Sequence, residues 1–378
     1  MRIVFPIMLI CIATIDAEFT FAIFGDMQAD DCNDNAIVSK TVNTMVKCKA
    51  AFYVCIGDLI SGYNKASCFN SSETCTSPGS DGNVGRILSP LIRKPPAGLL
   101  STLYLVIGNH DDNWGEGWYP DKCGGGICDV VMPVYVNHPR VFDVKGYMRH
   151  NLYHGNLCSK YKGASGYGQD YYYSFAYDNT YFIFIYLNQD YYGMFSCNNK
   201  PGSYETCADY CADTLRFLDP GRNRNCYNIG QYDWLRSELA KARGCRAIIV
   251  FGHVPLLTSS DNHPATAGAR NLRTLFEQYH VTAYFNGHDH AYERTFPVKG
   301  DAVDPHGVVY ITVGPCGAKT DRISGAWYTS ASYKQWTRYD NQEQMSGFMQ
   351  ITVKNDGSVE GKHIGIGNVV HDRFTIKR

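Results

Sequence analysis

Five apolar runs along the chain each end in a short polar motif. They are Phe21-Ala22-Ile23-Phe24-Gly25-Asp26, Phe52-Tyr53-Val54-Cys55-Ile56-Gly57-Asp58, Leu103-Tyr104-Leu105-Val106-Ile107-Gly108-Asn109-His110-Asp111, Ile248-Ile249-Val250-Phe251-Gly252-His253 and Ala283-Tyr284-Phe285-Asn286-Gly287-His288-Asp289-His290. Short runs of β-branched and aromatic residues bounded by glycine read as buried strands. Between the first two, Ile37, Val38, Val42, Met45 and Val46 recur at roughly helical spacing over 35–49, which predicts a βαβ unit returning to a strand at 51–56. A third strand is expected over 102–107, after a helix near 84–92. Helices predicted over 231–242 and 271–279 lead into strands at 247–251 and 281–285. Past Tyr292 the pattern alternates, predicting strands at 308–313, 348–353, 359–366 and 373–376, with Asn355-Asp356-Gly357 as a hairpin turn. These late strands read as a second, partly antiparallel sheet that closes the domain.

A chain of 378 residues accommodates one large or two ordinary domains. The motifs continue to position 290 without a linker or a shift in composition, so a single domain is expected over 18–378. It carries cysteine-rich insertions near 61–83, 112–169 and 188–228, and long loops on a rigid scaffold are where specificity commonly resides. The formal charge is −1 and no lysine/arginine block is present, which argues against a nucleic-acid-binding patch. Attraction for any substrate must then be local.

Residues 1–17 have the shape of a signal peptide, with Arg2, an apolar run and a small residue, Ala17, at the cut site. That run is short for a membrane span, and no stable span is expected after its removal. Loss of Cys11 leaves an even number of cysteines. Cys68, Cys75, Cys123, Cys128, Cys197, Cys207, Cys211 and Cys226 fall in loop contexts and are expected to pair as disulfides in an oxidising compartment. Cys55 lies inside an apolar run and reads as a buried thiol. Asn70-Ser71-Ser72 is a glycosylation acceptor, so a secreted protein, or one of a vesicular, lysosome-like lumen, is expected.

A single Gly-Asp after an apolar run is ordinarily a strand end and a turn. Five such motifs in order bring two aspartates, an asparagine and four histidines to strand carboxyl ends, which in an α/β sheet open on a shared crevice. Carboxylate, amide oxygen and imidazole suit iron, manganese or zinc, and no cysteine joins the set.

The order and wording of these motifs resemble the calcineurin-like metallophosphoesterase superfamily, and within it the purple acid phosphatase (tartrate-resistant acid phosphatase-like) branch. That branch reads Asp-x-Gly, Gly-Asp-x-x-Tyr, Gly-Asn-His-Asp/Glu, Val-x-x-His and Gly-His-x-His. Here the motifs are Asp26-Met27-Gln28, Gly57-Asp58-Leu59-Ile60-Ser61, Gly108-Asn109-His110-Asp111, Val250-Phe251-Gly252-His253 and Gly287-His288-Asp289-His290. Gln231-Tyr232-Asp233-Trp234-Leu235, Tyr172-Tyr173-Ser174-Phe175 and Ala291-Tyr292-Glu293-Arg294 add to the likeness.

The resemblance implies an α/β fold, a two-sheet β-sandwich flanked by helices on both outer faces, with the metal site at strand carboxyl ends. It implies two metal ions (Fe, Zn or Mn), one held by Asp26, Asp58 and His290 and the other by Asn109, His253 and His288, with Asp58 bridging. A bridging anion is needed between cations about 3.5–4 Å apart. His110 is implied as the catalytic proton donor, with Asp111 and His263 on the substrate side. The implied activity is hydrolysis of a small phosphomonoester by hydroxide generated at the metals. The alternatives are a phosphodiesterase or nucleotide pyrophosphohydrolase on the same scaffold, and a secreted pseudoenzyme that only binds. Two positions depart from the branch. Ser61 stands where it has its metal-binding tyrosine, with Tyr63 two residues on, so no purple colour is expected. Gln28 stands where the branch has glycine and the wider superfamily histidine.

Overall fold

The structure, a computed structural model, describes residues 17–28, 36–59, 87–99, 101–106, 108, 173–185, 187, 229–259, 269–320, 334–338 and 346–377. The three expected insertions, the loop cysteines and residues 1–16 lie outside them. In chain order the elements begin β1 (Phe19–Phe24), α1 (Ala36–Val46), β2 (Tyr53–Cys55), β3 (Leu103–Leu105), β4 (Tyr173–Tyr177), β5 (Thr180–Phe184), α2 (Ile229–Lys241) and β6 (Ala247–Phe251). They continue with α3 (Ala269–Gln278), β7 (Ala283–Asn286), β8 (Tyr292–Thr295), β9 (Val298–Lys299), β10 (Ala302–Val303) and β11 (Val309–Val313). The last strands are β12 (Lys334–Arg338), β13 (Gly347–Val353), β14 (Val359–Gly365) and β15 (Val370–Ile376).

Two large mixed sheets result, ordered β15-β14-β13-β1-β2-β3 and β12-β8-β11-β7-β6-β5-β4. This corrects one expectation from sequence. The motif-bearing strands do not share one sheet, because β1, β2 and β3 lie in the first and β6 and β7 in the second. Nor do the late strands make a sheet of their own. β13 returns to pair antiparallel with β1, with Phe21 opposite Ile351, while β11 inserts parallel to β7, with Val309 opposite Ala283. Local alternation marks a strand but carries no information about its partner.

The reason five runs are almost wholly apolar is visible in the second sheet, where alternate residues serve two cores. Phe182, Phe184, Ala247, Ile249, Phe251, Ala283 and Phe285 face the first sheet. Their neighbours Ile183, Ile248, Val250 and Tyr284 pack instead beneath Leu235 and Leu239 of α2 and Leu272, Leu275 and Phe276 of α3. Between the sheets the packing is aromatic. Phe21 stacks on Phe52 at 5.0 Å, and Phe182 meets both edge-on at 5.4 and 5.3 Å. On the outer side of the first sheet α1 buries Val38, Val42 and Met45, spaced one helical turn apart.

Six of the described strands were not legible in sequence. The β4–β5 hairpin turns on Asp178 and Asn179, at φ 46° and 54°, left-handed values that Asp and Asn tolerate better than most residues. β8, β12 and the two-residue β9 and β10 are the others; β8 carries Glu293 and Arg294, charged residues that mask its burial pattern. The helix expected near 84–92 ends, in its described part, as a 3₁₀ turn at Ser89–Leu91, where Pro90 supplies no N–H. The Asn355-Asp356-Gly357 turn is present, with Lys354 N donating to Ser358 O at 2.9 Å and Gly357 at φ 83°.

Candidate metal centre

Within each sheet the motif loops are stitched together by main-chain bonds. Asp26 N donates to Gly57 O at 3.0 Å, Gln28 N to Asp58 O at 2.9 Å, and Gly287 N to His253 O at 3.0 Å. Side chains add contacts between the sheets: His288 N donates to Asp26 Oδ1 at 2.9 Å, and the His253 ring reaches Ile56 O with Nδ1 at 2.8 Å. The turns are tight enough that Asp26, Gln28, Asp58 and His288 sit at φ 48°, 41°, 53° and 70°. Such left-handed values cost non-glycine residues of order 1–3 kcal/mol each and cluster at functional sites.

Asp26, Asp58 and His253 each offer a ligand atom, these atoms lie within 4.8 Å of one another, and all three residues are buried. His253 Nε2 is 3.3 Å from Asp58 Oδ1, and His290 Nε2 is 3.8 Å from Asp26 Oδ1. The His288 ring meets that of His253 edge-on at 5.1 Å. Gln28 reaches across the first motif, its amide 3.4 Å from Asp58 Oδ2 and 3.3 Å from His290 Nε2.

A cation suits this set. Asp26 is fully buried, yet its Oδ2 has no hydrogen-bond partner. An orphaned carboxylate oxygen beside a second carboxylate is costly unless positive charge compensates it. Burial therefore pushes the Asp26 carboxyl well above its ordinary range, with the charge of Asp58 adding to it and His253 opposing. For His253 burial works the other way, but the Asp58 charge and hydrogen bond and the Asp26 charge outweigh it and push the imidazole up to about 10. Without a metal the cluster takes up protons instead. Both imidazoles are also oriented for coordination: Nδ1 of His253 is tied to Ile56 O, and Nδ1 of His290 to Lys319 O at 2.6 Å. A ring that donates Nδ1–H to a carbonyl turns the lone pair of Nε2 toward the carboxylates.

Of the residues singled out in sequence, Asp26, Asp58, His253, His288, His290 and Gln28 are thus brought together. Asn109, His110, Asp111, His263, Ser61 and Tyr63 lie outside the described residues. Gly108 is described, and its backbone lies so close to Asp58 that a Cβ there would stand 2.1 Å from Oδ1. Sequence reasoning missed the strap at 314–319, where Cys316 N donates to Gly25 O at 2.8 Å, Ala318 N to Asp26 O at 3.0 Å, and Lys319 O orients His290. It also missed Thr258 and Ser259, whose hydroxyls bond the buried carboxylates of Asp289 and Glu293. The sole signal for the strap is Gly314-Pro315-Cys316-Gly317, a turn-forming stretch.

A two-sheet α/β sandwich thus gathers buried carboxylates and imidazoles at its strand carboxyl ends into a candidate metal centre. A family model described as calcineurin-like phosphoesterase matches residues 19–292, and the chain belongs to that family. Purple acid phosphatase 18 of Arabidopsis thaliana is 37% identical over 91 residues, 23% of this chain and 21% of that protein. Tartrate-resistant acid phosphatase type 5 of Mus musculus is 27% identical over 123 residues, 32% of this chain and 35% of that protein. The alignments thus span a fifth to about a third of these curated relatives. Purple acid phosphatase PPD1 from yellow lupin seeds has a similar structure, with a TM-score of 0.58 at 18% identity, covering 96% of this chain and 54% of that one. A dimetal phosphatase from Danio rerio gives 0.50 at 15% identity, covering 95% and 98%. At these identities the likeness is one of fold.

Proposed function

We propose that this protein is a secreted phosphatase with two metal ions that hydrolyses small phosphomonoesters, its residues 1–17 being removed on export. The observation that carries the reading is the buried Asp26–Asp58–His253 cluster with the orphaned Asp26 oxygen, in a chain of the calcineurin-like phosphoesterase family. Asp26, Asp58 and His290 would hold one ion and Asn109, His253 and His288 the other, with Asp58 between them. Asp58 supports this role by presenting Oδ1 to His253 and Oδ2 to the Gln28 side of the site. Asn109 follows directly on Gly108, which abuts Asp58.

When bound, the metals supply Lewis acidity that clamps phosphate oxygens and lowers the pKa of water toward neutrality. The chain's own residues do the rest. Ile56 O and Lys319 O hold the two imidazoles in register, and the buried carboxylates would hold the cations. His110 gives its proton to the ester oxygen that leaves as the bond to phosphorus breaks, an imidazole being suited to this near neutral pH. Asp111 would orient that ring, and His263 would contact the substrate phosphate.

The test compares nitrophenyl phosphate with bis-nitrophenyl phosphate. Hydrolysis of the monoester, abolished by chelation and lost together with bound metal in His253→Ala, is the expected result. His110→Ala should keep its metal and slow turnover by roughly 10²–10⁴-fold. Preference for the diester would move the reading to a phosphodiesterase, and full metal content in His253→Ala would overturn the ligand assignment.

A further inference from the structure

Two carboxylates beside the proposed ligands have no place in that mechanism. Asp289 stands between His288 and His290 and is 2% exposed, and Glu293, on β8, is 5% exposed. Thr258, 1% exposed, donates its hydroxyl to Asp289 Oδ2. Ser259 donates its hydroxyl to Glu293 Oε2 and its backbone N–H to the same oxygen at 3.2 Å. Both hydroxyls belong to the loop that follows His253, so the two contacts lock the His253 loop to the loop that carries the other two histidines. The turn around Asp289 is itself fixed, Asp289 N donating to Gly287 O at 2.8 Å and Ala291 N to Asp289 O at 2.7 Å.

We propose that Asp289 is a positioning residue of the metal centre: gripped by Thr258, it fixes the His288–His290 loop against the His253 loop, and its negative charge tightens the hold on the cations. Its two chain neighbours reach the site, His288 N donating to Asp26 Oδ1 at 2.9 Å and His290 Nε2 lying 3.8 Å from the same oxygen. Buried anions close to a cation act over short range with little screening. Outer-sphere partners of this kind typically change metal affinity 10–100-fold. The inference rests on the metal-centre reading above.

The experiment measures Zn²⁺ affinity of the full chain by competition with a chromophoric chelator, alongside the melting temperature of the metal-free protein. Asp289→Asn can still accept the Thr258 hydroxyl but carries no charge. It should bind Zn²⁺ 10–100-fold more weakly while the metal-free protein melts no lower than wild type, since a buried repulsion is relieved. Thr258→Val should lose several-fold in affinity, and Thr258→Ser, which keeps the hydroxyl, should not. A purely structural role would lower the metal-free melting temperature and leave affinity unchanged. Wild-type affinity in both Asp289→Asn and Thr258→Val, with Zn²⁺ bound normally by the parent, overturns this inference alone. A parent that binds no Zn²⁺ overturns the metal-centre reading with it.

Discussion

At the scale of single residues, the proton economy of the cluster sets a pH dependence whose sign follows from the shifts. The His253 imidazole rises from 6.5 to about 10 in the folded, metal-free protein. Its stabilising contribution is therefore complete below about 6.5 and lost as pH rises through about 10. The Asp26 carboxyl is also raised, well above 3.8, so the fold again loses stability as pH rises through that higher value. Metal-free protein should then melt at progressively lower temperature between about pH 6.5 and 10. Metal reverses the trend, because coordination takes the place of the bound protons. Calorimetric metal titrations in buffers of different protonation heat should report net proton release at neutral pH, with affinity increasing as pH rises. A metal-free melting temperature flat across that window would show that His253 is not held as a cation. The aspartates and histidines were legible from residue type and spacing, whereas Lys319 and Ile56 act through main-chain carbonyls, which any residue possesses and no motif reveals.

At the scale of elements, the site is built where strand ends and tight loops meet, and glycines set how closely they approach. At Gly287 an added Cβ would stand 2.4 Å from Asp26 Oδ2. Gly287→Ala should push that carboxylate aside, with a loss of roughly 1–3 kcal/mol in stability and a parallel fall in metal content. Gly244 offers the comparison. It sits at φ +91° in the turn after α2 with nothing within 4 Å, so an alanine there is strained only by its backbone. Denaturant melts and elemental analysis of both variants check the difference: equal metal content in Gly287→Ala and wild type would mean the close approach is not needed. Strands such as β6 and β7 were legible because both their faces are buried and the run is continuous. β8 was hidden because its Arg294 and Glu293 are buried by pairing rather than by being apolar, a distinction that local pattern does not carry.

At the scale of the whole molecule, the two sheets are joined by aromatic packing and, away from the metal centre, by a buried ionic junction. Arg294 on β8 meets Asp372 on β15 through Nε at 2.8 Å and Nη2 at 3.2 Å, and Tyr292 Oη donates to the same carboxylate at 2.8 Å. Asp372→Ala strands the guanidinium in the interior, which typically costs about 3–5 kcal/mol, a large share of a total stability of about 5–15 kcal/mol. Equilibrium unfolding should register that loss, and a change under about 1 kcal/mol would place the junction among surface pairs. The sequence by itself determined the kind of fold, the strands that carry the motifs and the donor types of the centre, because burial periodicity and residue chemistry are local properties of the chain. Only the tertiary structure decided that these motifs rise from two sheets, that β13 and β11 return to opposite layers, and that Asp289, Glu293 and the strap at 314–319 brace the centre. Those facts depend on which distant segments pair, and pairing is set by the packing of whole faces against one another.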